Sequence, residues 1–387
     1  MLLCACDLHF GTLPPTATRA PTPPPAPSLI VVWAAGGNLF AWRERDQALR
    51  QIASGAVIRP YLSPHGDQVA FTRGAQGDAI SLWVVGIDGV GEQQVVAPTV
   101  IKSIRNGHPQ INRVAWLDDQ TLYFNTFQQY TSGSSNDDDL YRAQIGSPPQ
   151  LILPPGAGGD FALSPDRTRI AVVRAGQYDM QKGAVALLDP LGVKMDEKLT
   201  FTALRTPDEV PFYPPLAWSA DSSSVRVPIP DRASDRVALW KLPAEAGSPA
   251  IFGYISAAPQ GLPVWSADGE WMVYLRDGSN GMTDLLLADD DGGNPVLYDN
   301  GSIANRHWLP NSDLFAYDLS GAIWIGQRNQ PPRKLIDAPV QGVIFAGGDA
   351  YVYATPSELH AGHLNAAGSM LLGTFTAPPL FDALVAP

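Results

Sequence analysis

Hydrophobic and polar positions along the 387-residue chain follow one recurring phrase: an aromatic residue or Leu, a small polar turn, then a short apolar run. It reads LSPHGDQVAF from Leu62, WLDDQTLYF from Trp116, LSPDRTRIAV from Leu163 and WSADSSSVRV from Trp218. It returns as WSADGEWMVY from Trp265, WLPNSDLFAY from Trp308 and, worn down, FAGGDAYVY from Phe345. The phrases end at Phe71, Phe124, Val172, Val227, Tyr274, Tyr317 and Tyr353, about 36 to 55 residues apart, a spacing that marks a repeat architecture.

One unit shows how each copy folds. Pro263-Val264-Trp265 is a first strand, and Ser266-Ala267-Asp268-Gly269 is a tight turn in which Asp bonds backbone amides and Gly accepts positive φ. Trp271–Leu275, rich in aromatic and β-branched residues, is the second strand. Leu285–Ala288 is the third, Asp291-Gly292-Gly293 turns the chain, and Pro295–Tyr298 is the fourth. Four short antiparallel strands per unit make a propeller blade. Seven units carry the phrase. An eighth begins with Leu29–Trp33, Asn38–Trp42 and Ala48–Ala53 but lacks a first strand, while Leu380–Val385 is left over at the other end. The expected fold is therefore all-β: a propeller of eight blades, with seven as the alternative. Its ring is closed by the C-terminal strand pairing with the N-terminal blade, which removes an exposed edge.

The phrase W-S-P-D-G before an I-A-F-like strand, with a later D-x-D-G turn, resembles the TolB-type, WD-repeat-like bacterial propeller repeat. The copies that carry the resemblance are Leu62–Phe71, Leu163–Val172 and Trp265–Tyr274, with Asp289–Gly292 and Ile87-Asp88-Gly89 as second turns. It covers roughly residues 29–385 and implies the fold, whereas one fold hosts many activities. The N-terminal α/β domain of TolB has no counterpart in this sequence, so its role in the Tol–Pal system is not carried over.

Composition refines the picture at the N-terminus. Both cysteines, Cys4 and Cys6, lie in the first six residues, leaving the propeller without a thiolate metal site. Leu3-Cys4-Ala5-Cys6 resembles a bacterial lipobox, which implies lipid attachment at Cys6. The segments read as a residual lipoprotein signal over 1–12, a Pro/Thr-rich tether over 13–28 and the propeller over 29–387. The tether, extended at about 3 Å per residue, reaches roughly 45 Å. The expected location is extracytoplasmic, at the periplasm or cell surface, with the membrane reached only through the lipid. A net charge of −12 argues against nucleic acid as a partner.

Long connections run from blade to blade and from second to third strand, and antiparallel geometry puts both kinds on one face. They carry Arg105, His108, Tyr130, Tyr178, Arg205 and Tyr213, residue types that anchor interfaces. No G-x-S-x-G elbow is present, and Gly278–Gly281 is one residue short of it. His360 and His363 face opposite sides of a strand, and Asp137–Asp139 and Asp289–Asp291 read as solvated hairpin tips. No catalytic residue, metal site or cofactor is expected. The function expected is non-catalytic binding of a protein, peptide or glycan partner by a monomeric envelope propeller. The alternative is an enzyme acting on a glycan or peptide at the central pocket.

Overall fold

A computed structural model describes residues 27–386, except 75–77, 105–108, 131–132, 135–138, 177–180, 194, 206–209, 232–233, 235, 259–260 and 311; of 129, 130, 133, 134 and 280 it describes the backbone alone. Eight antiparallel sheets follow one another around a ring. Seven have four strands, and the third adds the short strand Gly133–Ser134 beyond its second strand. Blade 1 takes its innermost strand from the other end of the chain: Leu380–Ala386 pairs with Ser28–Ala35, from Ala34↔Leu380 to Ser28↔Ala386. The expected eight-blade closure is thus the observed one. Ser28 and Ala386 both lie at the end of the blade where first strands turn into second strands, the tight-turn face. The seven-residue helix Pro98–Ile104 sits in the connection from blade 2 to blade 3.

The sequence makes this ring because each second strand is apolar on both sides. In blade 6, Met272 and Tyr274 pack toward blade 5, while Val273 and Leu275 pack toward blade 7. Alternate side chains leave a strand on opposite faces, so a strand buried between two neighbours reads as a continuous apolar run. The core is accordingly eight clusters, one per blade interface. Phe71, Phe124, Phe161, Phe315, Tyr123 and Tyr317 are among their largest fully buried side chains.

The tight turns are stapled by the repeated Ser and Asp. Asp166 accepts from Ser164 Oγ at 2.6 Å and from the Thr168 N–H at 3.0 Å; Asp221 and Asp268 repeat the arrangement. These bonds hold the Asp166 and Asp221 carboxyls at about 2. Gly66 and Gly269 adopt the left-handed conformation the turn requires, and Arg167 and Ser222 adopt it without glycine's freedom. Side chains on this face are largely engaged with neighbouring blades: His65 with Asp119, the Asp166 N–H with Ser222, and Arg226 with Asp290.

Every outermost strand carries an irregularity. In all eight blades the pairing of third with outermost strand slips register. Bulges at free edges discourage further strands from adding.

Candidate functional site

The innermost strands start at the long-loop face and run to the tight turns. Three of them are bulged near that start: Val57–Leu62 between Val57 and Pro60, Pro109–Asp118 between Ile111 and Arg113, and Ile303–Trp308 between Ala304 and Arg306. An arginine sits within or directly after each bulge: Arg59, Arg113 and Arg306. A bulge re-aims side chains. At the third, Asn305 takes φ 41°, a left-handed backbone in an otherwise extended strand.

In blades 1 to 4 Arg59 and Arg113 join Asp160 and Asp382, which lie on regularly paired innermost strands, in a charged arc. Arg113 Nη1 donates to Asp160 Oδ1 at 2.7 Å, linking the innermost strands of blades 3 and 4. Asn125, fully buried, holds this arginine's backbone: its Oδ1 accepts the Arg113 N–H at 3.0 Å, and its Nδ2 donates to Gly159 O at 2.8 Å. Arg59 is exposed on an innermost strand, whose flanks are covered by the ring, so it faces the lumen. Its guanidinium lies 5.6 Å from the Tyr61 ring centroid. Burial raises the Tyr61 pKa, Arg59 and Arg113 oppose that shift, and Asp382 adds to it, so all three charges converge on one phenol. Asp382, on the C-terminal strand, is turned into backbone: Oδ2 accepts the Leu62 N–H at 2.7 Å and Oδ1 the Ala383 N–H at 2.9 Å. Burial pushes its carboxyl above the ordinary value.

Across the channel, two cavities open on the same face. One, of about 590 Å3, lies between blades 6 and 7 and is lined by Gly261, Leu275, Asp277, Asn305, Arg306 and His307. The other, about 370 Å3, lies between blades 5 and 6 and is lined by Phe212, Tyr213, Leu216, Leu262, Val264 and Arg306. Arg306 separates them, donating from Nη2 to Leu262 O at 3.0 Å, and burial lowers its pKa to about 10. His307 touches solvent, but crowding by the channel walls and the charge of Arg306 lower its pKa.

Of the residues singled out from sequence, Tyr213 lines the second cavity. Arg205 donates to Gly176 O at 3.1 Å, joining the blade 4 to 5 connection to the loop within blade 4. Tyr130 ends the second strand of blade 3. Cys6, Arg105, His108 and Tyr178 lie outside the described residues. Asp139 is a correction: it is not a solvated tip but fully buried, accepting from the Thr126 N–H at 2.7 Å and Thr126 Oγ1 at 2.8 Å. Thr126 offers both donors from the second strand, and this fixes Asp139 beneath the surface. His360 and His363 stand apart as expected: His360 stacks on Tyr353, while His363 bridges Asp349 and Glu44. Among the described residues, no group of three or more His, Cys, Asp or Glu has metal-binding geometry.

The charged arc and the bulged arginines were missed from sequence. Their signal is faint but present: Arg59, Arg113 and Asp160 each stand three residues before the first residue of their phrase.

A closed eight-bladed ring with a charged, irregular mouth on one face defines a β-propeller. No protein-family model and no curated protein sequence matches the chain. Solved structures do. A eukaryotic initiation factor is similar over 93% of this chain and 98% of its own, at 12% identity and a TM-score of 0.56. An oligogalacturonate lyase in complex with manganese is similar over 77% and 81%, at 14% identity and 0.51. TolB from Acinetobacter baumannii is similar over 85% and 81%, at 14% identity and 0.43. Identities this low speak for the fold alone.

Proposed function

We propose that this propeller is a non-catalytic binding module of the cell envelope, engaging a protein partner with its long-loop face and channel mouth. The carrying observation is the asymmetry between the two faces. The tight-turn face has cavities of its own, of about 340 and 250 Å3 beside blade 1, but its polar side chains are largely engaged between neighbouring blades, whereas the long-loop face holds three innermost strands bulged near their start, the exposed Arg59 and Arg113, and both cavities beside Arg306. Binding residues concentrate on irregular segments held by a rigid scaffold. The acidic groups of the arc are engaged by Arg113 or by backbone N–H donors, an arrangement suited to holding a ligand rather than moving protons.

Tethering through a lipid on Cys6 and the Pro-rich segment completes the proposal, supported by Leu3, Ala5 and the composition of 13–28. No helix among the described residues is long and apolar enough to cross a membrane.

The test is capture from envelope extracts by the full chain. Replacing Arg105, His108, Tyr130, Tyr178, Arg205 and Tyr213 together with Ala should abolish retention of whatever partner the wild type holds, while Ser63→Ala and Ser266→Ala should leave it intact. Unchanged capture by the six-fold variant, or turnover of a glycan or peptide library by purified protein, overturns the reading. Loss of alkyne-fatty-acid labelling in Cys6→Ala checks the tether.

A further inference from the structure

The arc at the channel mouth contains one cation whose natural counter-charges are already engaged. Asp160 is held by Arg113 at 2.7 Å and also accepts the Phe161 N–H at 2.9 Å. Asp382, the other nearby carboxylate, points both oxygens at backbone N–H groups. Burial raises its pKa and the charge of Arg59 opposes that shift, so the two groups feel each other across space without forming an ion pair. Arg59 makes no hydrogen bond or ion pair with a described residue, and its guanidinium rests 5.6 Å from the Tyr61 ring centroid. An aromatic ring within about 6 Å attracts a guanidinium without using up its N–H donors.

The local charge runs against that of the molecule. The whole chain carries −12, yet the innermost strands near the mouth present Arg59, Arg113 and Arg306 against Asp160 and Asp382. Cationic groups clustered at a concave mouth raise the local concentration of an anion there even when the molecule as a whole is acidic.

We propose that Arg59, backed by Tyr61 and flanked by Arg113, is the receptor for a single carboxylate group entering the channel from the long-loop face. This deepens the binding reading above and rests on it. A planar carboxylate matches the guanidinium fork through two parallel N–H···O bonds, while Arg113, paired with Asp160, lines the approach beside it. The group is supplied by a small organic acid or by the C-terminus of a peptide, which share this chemistry.

Trifluoroacetate is the probe, followed by 19F line broadening against the full-length protein, with chloride holding ionic strength constant. Saturable broadening is expected with wild type. Arg59→Gln should weaken it at least tenfold, Arg59→Lys by about threefold, and Arg50→Gln, on the outer rim, not at all. Thermal melts of Arg59→Gln should match wild type, since the side chain is exposed. Trialanine acid and trialanine amide then compete: displacement by the acid alone identifies a chain terminus. Displacement by acetate but by neither peptide identifies a small acid. Broadening that does not saturate, that survives Arg59→Gln, or that the amide relieves equally, overturns the inference. Capture of a protein partner is read in a separate assay, so loss of the carboxylate site with capture intact fails this inference and leaves the broader one standing.

Discussion

The indole Nε1 of Trp308 donates to the carbonyl of Val264 at 2.8 Å, tying the innermost strand of blade 7 to that of blade 6. The tie recurs from Trp116 to Tyr61 and from Trp218 to Ala162, each at 3.0 Å and each to the residue just before the neighbouring phrase. Trp265 breaks the series, donating to Asp290 O at 3.0 Å. Packing alone would accept another large apolar residue at these sites; the bond adds direction. Trp308→Phe should therefore destabilise the fold by about 1–3 kcal/mol through an unpaired carbonyl and lost contact area. Chemical denaturation checks this, and Trp116→Phe should behave alike.

Asn125 offers a second test, because it serves two backbone groups at once. Asn125→Ala leaves the Arg113 N–H and Gly159 O without their partner. A loss of about 1–3 kcal/mol is expected. The bulge should also relax, so trifluoroacetate affinity at the mouth should fall even though Asn125 never reaches the lumen. Unchanged affinity in a folded Asn125→Ala protein would show that the bulge needs no such support.

His363 joins the two ends of the ring: Nδ1 faces Asp349 Oδ1 and Nε2 faces Glu44 Oε1, both at 2.8 Å, across the seam between blades 8 and 1. Hydrogen bonding to Asp349, then to Glu44, raises its pKa above the ordinary 6.5. A raised pKa contributes stability that is fully present below the unfolded value and lost as pH rises through the folded one. The melting temperature should fall by about a degree or two between pH 6 and 8.5, a small step because solvent screens the pair. In His363→Gln this component of the pH dependence should vanish.

Removing residues from Leu380 onward strips blade 1 of its innermost strand and opens two sheet edges. It also deletes Asp382, whose carboxylate caps the Leu62 N–H of blade 2. The truncated chain should fail to melt cooperatively and should self-associate, as light scattering would report; unchanged melting would refute the role of the closure.

The fold was legible because a propeller writes its period into the second strand. Runs such as Met272–Leu275 must satisfy two neighbours, and that double burial survives drift elsewhere in the unit. Even the worn copy at Phe345 forms a full blade, since Tyr351, Val352 and Tyr353 retain the rule. The missing strand of blade 1 could be assigned because Leu380–Val385 had no other use. The mouth was far less legible. Whether an arginine such as Arg59 reaches the mouth depends on strand position and on bulges that no residue type announces. Asp139 looked like one of three solvated carboxylates, and only the fold brings Thr126 to it. Loop length drew attention to Tyr213, which lines the cavity between blades 5 and 6, but not to the arc of charge on blades 1 to 4.

The meeting of Ser28 with Ala386 at the tight-turn side has a bearing on how the molecule stands in its surroundings. Any attachment made through the residues ahead of Ser28 grips the disc from beneath, like a stem under a bowl. The channel mouth then lies on the side of the disc opposite the point of attachment. Spacer length would set the height at which a visitor is met, while the ring alone would set the direction of approach.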